Sequence, residues 1–167
     1  MSDRRESSRG AAVAASDAFI LRGATIQDLP RVAAIERECF GDPWSLESFR
    51  ALLGDPRVLF LVGVEARTGR VSGYIVMWYV VDEAEIANLA VAGNARRSGL
   101  GARLLDSALA YADERGCRTM FLEVRDSNHA ARALYRTRQF EEIGRRVRYY
   151  RHPVEDALVL RRLLTRR

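Results

Sequence analysis

Residues 85–105, EIANLAVAGNARRSGLGARLL, constrain the fold more than any other stretch of the chain. A strand-like run, EIANLAV, breaks into two arginines, a serine and two glycines, and a leucine-rich helical pattern starts at once. Such a junction opens a βαβ unit, so a sheet with helices laid on it is required. The junction itself has two readings. One is an ordinary turn. The other is a cradle for an anion. The first N–H groups of a helix lack internal partners, the helix dipole makes that end positive, and glycines let a backbone approach a ligand closely. The loop is not a Rossmann fingerprint, because a third glycine would fall at position 104, which is Leu104. Nor is it a P-loop, because the chain contains no lysine: all 27 basic residues are arginine.

The flanking patterns supply the rest of the layout. AFILRG reads as a short strand. In ATIQDLPRVAAIERECF, Thr25 can cap a helix whose Leu29, Val32, Ala33 and Ile35 share one face. DPWSLESFRALLG restarts a helix with Ser45 as cap and Gly54 as stop. VLFLVGVEA, VSGYIVMWYVV and EIANLAV form a meander of strands. Leu100, Leu104, Leu105, Ala108, Leu109 and Ala112 form an apolar stripe that Gly116 ends. CRTMFLEV is a strand, and NHAARALYRTRQF is a helix capped by Asn128 with Ala131, Ala133, Leu134 and Phe140 at core positions. EEIGRRVRYYR and DALVLRRLL are two last strands. The order β α α β β β α β α β β predicts an α+β fold, a mixed sheet in which an antiparallel meander leads into βαβ units.

Length and composition bound the rest. At 167 residues with 48% hydrophobic, the chain makes one domain with a sizeable core. Residues 1–18 are polar and charged, without the apolar core of a signal peptide, and are expected to form a disordered lead to a single domain over 19–167. No apolar run reaches the roughly 18 residues of a membrane span, so no membrane role is expected and the protein is placed in the cytoplasm. Cys39 and Cys117 lie far apart, and with His129 and His152 they show no zinc spacing; reduced thiols and no metal are expected. Net charge is +5, and eight arginines against Glu155 and Asp156 give residues 145–167 a share of +6, leaving the remainder near −1. That basic end suits a nucleic-acid- or ribosome-facing surface, or a solvated terminus.

Two further residues carry possible chemistry. In MFLEVRDSN, alternation sets Met120, Leu122 and Val124 on one face and Phe121, Glu123 and Arg125 on the other. A carboxylate on an apolar strand is costly if buried alone. Glu123 therefore faces a wet cleft, where such groups act as acids and bases, or it pairs with an arginine. Tyr135 lies two helical turns beyond Asn128 and is either core packing or a reactive hydroxyl.

Taken together these motifs resemble the Gcn5-related N-acetyltransferase (GNAT) superfamily, and within it the bacterial ribosomal-protein-alanine N-acetyltransferases of the RimI type. The resemblance covers about residues 19–163 and rests on CFGDPWSLESF, EIANLAV, RRSGLGARLL, LEVRDSNHAARALY and RYYRHPVEDAL. It implies the acyl-CoA N-acyltransferase fold, a mixed sheet of six to seven strands flanked by about four helices. It implies that Arg97, Ser98, Gly99, Leu100, Gly101 and Ala102 give backbone donors to the pyrophosphate of acetyl-CoA. Leu89, Ala90 and Val91 would pair with its pantetheine arm, and Asn128 would touch it. Glu123 matches the family's general base and Tyr135 its general acid. The implied acceptor is the N-terminal alanine of small-subunit ribosomal protein eighteen, reached by direct transfer without a nucleophilic residue, Cys117 and Ser98 included. Other N-termini, lysines or a small amine are the alternatives within enzymes; a non-catalytic acetyl-CoA-binding, ribosome-associated module is the alternative outside them. No direct DNA binding is expected. Tyr149, Tyr150 and the segment to Asp156 are expected to form one wall of a peptide channel and Phe40 to Ser45 the other, with Glu155 or Asp156 attracting a basic acceptor residue. Two departures from the family pattern stand out: Arg138-Gln139-Phe140 where LGF is common, and Arg148 where an asparagine commonly precedes the tyrosine pair.

Overall fold

The computed structural model describes residues 18–164. The expected lead lies, apart from Ala18, outside the described residues; the Ala18 carbonyl accepts a hydrogen bond from Ala66 N–H at 2.9 Å. The elements run β1 Phe19–Gly23, a 3₁₀ turn Ile26–Asp28, α1 Leu29–Cys39, α2 Leu46–Leu52, β2 Val58–Glu65, β3 Val71–Val80, β4 Glu83–Val91, a 3₁₀ turn Gly93–Ala95, α3 Leu100–Glu114, β5 Thr119–Arg125, α4 His129–Thr137, β6 Glu141–Arg151 and β7 Val154–Leu163. The sheet order is β1-β2-β3-β4-β5-β7-β6. Neighbours are antiparallel except β4 and β5, which run parallel across the α3 crossover. This is the mixed sheet anticipated above.

Local chemistry sets the helix ends. The Ser45 hydroxyl accepts from Ser48 N–H at 3.1 Å, and Asn128 Oδ1 accepts from Ala131 N–H at 3.1 Å. Thr25 caps the 3₁₀ turn rather than α1: its N–H and hydroxyl donate to Asp28 at 2.8 and 3.0 Å, and α1 starts only at Leu29. Arg22 grips the same carboxylate with both terminal nitrogens at 2.7 and 2.9 Å and holds its pKa below the usual range. Gly116 stops α3 in the left-handed region, at φ +77°.

Each sheet face carries its own core. One is built from α3 against Ile75, Met77, Met120, Leu122 and Leu158, and the other from α1 and α2 against Phe60, Val62, Tyr74 and Val76. A fully buried leucine or isoleucine is worth about 1.5–3 kcal/mol, so the predicted α3 stripe is a main support of the first core. Ala133, expected in the core, faces solvent instead.

Two details of the sheet shape the site. Gly63 and Gly73 face one another across β2 and β3, and a Cβ on either would collide with Leu100. The gap they leave seats the first side chain of α3, which is 1% exposed, and so brings the α3 N-terminus down beside the end of β4. The β3–β4 register also slips, from Val76–Asn88 to Met77–Ile86, so Ala87 is a bulge residue. The parallel β4–β5 ladder ends at Ile86–Leu122, just before that bulge.

Candidate active site

Beyond Ile86 and Leu122 the two strands part. A cavity of about 500 Å³ opens between them, lined by Ile86, Ala87, Asn88 and Leu89 on β4 and by Leu122, Glu123, Val124 and Arg125 on β5. Ala92 N–H donates to the Ser72 carbonyl at 2.8 Å. Alternation along an antiparallel ladder then turns the backbone groups of Leu89 and Val91 away from β3, towards the gap. They are a strand edge open to an extended ligand arm. Ala90 points its side chain into the α1–α2 core, and the same alternation turns its backbone groups to Tyr74 on β3, so it offers nothing to the gap.

At the end of β4 the chain makes the cradle. Arg97 and Gly99 both take the left-handed region, at φ +60° and +82°. The Ser98 hydroxyl donates to the Ala95 carbonyl at 2.5 Å and accepts weakly from Leu100 N–H at 3.4 Å. Gly101 and Ala102 stand in the first turn of α3, where N–H groups have no intrahelical acceptor. A Cβ added to Gly101 would meet only Val91 and Leu134, at 3.5 and 3.8 Å, which are ordinary contacts. The fold does not require glycine there; a close-fitting anion would. These features fit a pyrophosphate. The cradle residues stand outside the cavity lining, whereas Leu89, Glu123, Asn128 and Tyr135 share it. The Leu100 side chain is buried in the core, so only its backbone is open to a ligand.

Glu123 meets both expectations at once. It lines the cavity, and Arg146 Nε pairs with its Oε1 at 2.5 Å. The Tyr149 hydroxyl lies against the same carboxylate, which pushes the tyrosine pKa up. Across the cavity Tyr135 is buried, with its ring edge-on to Phe140 at 5.6 Å. Burial, then the nearby Tyr150, drives its pKa upward, so the hydroxyl keeps its proton throughout the working range. Tyr150 itself is pushed up to about 12 by burial and by the Glu123 charge. Cys117 lies in the core and the Ser98 hydroxyl is committed to Ala95, so neither is placed to attack.

The cavity is also lined by Glu36, a residue that the sequence did not single out. Glu36 on α1 is 1% exposed, and its carboxylate accepts from Trp44 N–H at 3.0 Å, from Asn88 Nδ2 at 2.9 and 3.0 Å, and from the Tyr74 hydroxyl. Burial raises its pKa, and these donors oppose the rise. Trp44, held by that bond, stacks on Trp78 at 6.0 Å. The two expected walls also meet. Asp42 accepts from Arg151 N–H at 3.1 Å, from His152 N–H at 3.3 Å and pairs with His152 Nδ1 at 2.5 Å. A Cβ on Gly41 would strike the His152 carbonyl, so the contact needs glycine. Cys39 lines the cavity and donates its thiol to the Val91 carbonyl at 3.6 Å. One expectation fails here. Glu155 is taken by Ser127 N–H at 2.8 Å and Arg125 at 3.3 Å, and Asp156 by Arg148 N–H at 2.8 Å and Arg145 at 3.0 Å. Neither carboxylate is left to attract an acceptor side chain.

Comparison with known sequences places this geometry. Residues 29–140, more than half of the chain, match the acetyltransferase (GNAT) family. The chain belongs to the GNAT family. It is 35% identical over 137 residues to the ribosomal protein bS18-alanine N-acetyltransferase of Escherichia coli strain K12, covering 80% of this chain and 89% of that one. The crystal structure of the E. coli ribosomal-protein-S18-alanine N-acetyltransferase superposes with a TM-score of 0.80 at 32% identity, covering 89% and 96%. Arabidopsis thaliana NAA60 in complex with acetyl-CoA shares the fold, with a TM-score of 0.78 at 18% identity over 87% and 98%. GNAT enzymes take their acetyl group from acetyl-CoA. Among the described residues no group of three or more His, Cys, Asp or Glu could hold a metal ion, and no helix is long and apolar enough to cross a membrane. Both departures from the GNAT pattern turn out to be left-handed: Gln139 at φ +63° and Arg148 at φ +52°. Glycine and asparagine are favoured at such positions because they tolerate that region best.

Proposed function

We propose that this GNAT protein moves an acetyl group from acetyl-CoA to the N-terminal alanine of ribosomal protein bS18, by direct transfer in the cytoplasm. The supporting observation is that Glu123 and Tyr135 line one cavity at the parting of β4 and β5, a carboxylate and a hydroxyl that stays protonated. Acetyl-CoA, when bound, supplies the activated acetyl thioester. Arg97 to Ala102 would hold its pyrophosphate through backbone N–H groups, the Leu89 and Val91 backbone its pantetheine arm, and Asn128 would touch it from the start of α4. The Leu89 N–H, turned into the gap, would donate to the acyl carbonyl oxygen.

The remaining steps belong to side chains. An attacking amine must be neutral. An α-amino group, with a pKa of about 7.7–8.0, loses its proton far more readily than lysine at about 10.4, so a carboxylate acting directly or through water suffices. Glu123 takes that proton. Tyr135 gives its own to the departing sulfur. The stacked Trp44 and Trp78 and the pair Tyr149 and Tyr150 would flank an extended peptide, and the Asp42–His152 contact would close the channel over it. A walled channel favours a peptide over a small amine. The test is incubation with acetyl-CoA and a panel holding an alanine-first bS18 peptide, other N-termini, a lysine side-chain peptide and a small amine, with products read by mass. The alanine-first peptide should be acetylated on its α-amine with the highest kcat/KM. Equal efficiency with the small amine, or lysine acetylation, would refute the assignment.

A further inference from the structure

In the free protein the carboxylate of Glu123 already has a cation on it. Arg146 reaches it from β6 with Nε at 2.5 Å, and its guanidinium lies 5.8 Å from the centre of the Tyr149 ring, whose hydroxyl leans on the same carboxylate. A guanidinium keeps its proton at any working pH, so Arg146 cannot relay one. It can only hold a place. An acceptor arrives with an α-ammonium, which must reach the same carboxylate to be deprotonated. Two cations then compete for one site. The burial is unequal: the Glu123 side chain is 20% exposed and the Arg146 side chain 59%. The arginine has water to leave into, and because a second cation takes its place on the half-buried carboxylate, the exchange leaves no charge unpaired. The other arginine near this carboxylate cannot take over. Arg125 is bound to Glu155 at 3.3 Å and to the Pro153 and His152 carbonyls at 3.0 and 3.2 Å, with its guanidinium 4.2 Å from the Tyr150 ring centre.

Resting on the peptide-acceptor reading above, we propose that Arg146 is a positioning residue that occupies the place of the acceptor's α-ammonium on Glu123, and that acceptor binding displaces it. The ligand class this selects is a peptide with a free, cationic N-terminus. A blocked or des-amino chain brings nothing that can replace the guanidinium.

Calorimetry on the CoA-loaded protein tests this with two ligands: an alanine-first peptide, and the same peptide with propionyl in place of alanyl, which lacks only the amine. Arg146→Gln removes the competitor from an exposed position. It should tighten the amine peptide by up to about fivefold, the worth of an ion pair whose cation is solvated, and leave the des-amino analogue unchanged. Arg146→Lys, which keeps a cation in reach, should hold the wild-type ratio of the two affinities. The proposal is overturned if Arg146→Gln weakens the amine peptide, leaves it unchanged, or moves both ligands equally. Wild-type protein that binds neither ligand would instead overturn the peptide-acceptor reading itself.

Discussion

Glu36→Ala removes the acceptor of three donors in one step: Trp44 N–H, the Asn88 amide and the Tyr74 hydroxyl. A buried donor left without a partner costs about 1–3 kcal/mol. Tyr74 is 0% exposed and sits among Phe49, Phe60 and the β3 core, so water cannot rescue it and the full cost applies. Asn88 and Trp44 line the cavity, where water replaces part of what is lost. The sum is roughly 3–5 kcal/mol, a large share of the 5–15 kcal/mol that holds a domain together. Glu36→Gln keeps a carbonyl oxygen for Trp44 N–H, replaces the other oxygen with an NH₂ from which the Tyr74 hydroxyl can accept, and removes a desolvated charge, so it should stay within about 1 kcal/mol of wild type at pH 7. The pH dependence separates the two effects. Burial raises the Glu36 pKa, so the folded state binds this proton more tightly than the unfolded chain. The contribution of Glu36 is therefore fully present below the free glutamate value of about 4.3 and is lost as pH rises through the folded value. Glutamine has no such loss, and the stability of Glu36→Gln relative to wild type should climb with pH across that window. Urea unfolding at several pH values measures both quantities. An alanine variant within 1 kcal/mol of wild type, or a glutamine difference that shrinks as pH rises, would refute the account.

Four further outcomes are expected. Glu123→Gln should leave acetyl-CoA binding intact and lower kcat by about 10²–10⁴-fold, the usual worth of a general base; near-normal turnover across pH 6–9 would remove it from that role. Gly101→Ala should sharply weaken acetyl-CoA binding in calorimetry while the melting temperature barely moves, because the protein itself leaves room for a Cβ; Gly99 is a poorer probe, since its φ of +82° adds strain to any substitution. Tyr149→Ala should raise KM for an alanine-first peptide far more than KM for acetyl-CoA, as steady-state kinetics with each substrate varied will show. Gln139→Gly should raise stability by about 1 kcal/mol by relieving a left-handed non-glycine residue, read as a shift in the urea midpoint.

What the sequence discloses and what it hides divide along chain distance. The α3 stripe, the caps at Ser45 and Asn128 and the alternation around Glu123 are local patterns, each decided within a few residues, and the structure follows them. The hidden features are pairings between distant segments. Glu36 meets Asn88 across 52 residues, and Asp42 meets His152 across 110. A signal for Glu36 does exist: it lies four residues after Val32 and three after Ala33, on the apolar face of α1, where a carboxylate must find donors. Nothing local says which donors. Thr25 misled for a related reason. Its capping pattern is sound, but Arg22 and Asp28 close a 3₁₀ turn first and push α1 three residues on. Glu155 and Asp156 read as free charges because the arginines and the Ser127 N–H that consume them come from other strands and loops.

The bulge at Ala87 couples the two halves of the site. On β4, Ile86 belongs to the α3 core, and so do Leu89 and Val91, which are three and five residues further on. Strict alternation from Ile86 would have sent Leu89 and Val91 to the opposite face, since odd separations change sides. One extra residue repairs the parity. It leaves Ala87 and Asn88 both on the α1 side, where Asn88 reaches Glu36 and through it the Trp44 loop of the acceptor wall. It also lets Leu89 and Val91 pack their side chains under α3 while their backbone groups turn into the gap left by β5. Acceptor wall and donor-side strand edge are therefore set by the same irregularity. The paired glycines 63 and 73 act from the other direction, seating Leu100 so that the α3 N-terminus stands at the end of that strand edge. On the proposed reading, a ligand running from the cradle along β4 would be delivered to the point where Glu123 and Tyr135 line the cavity, without any catalytic side chain having to come from the cradle itself.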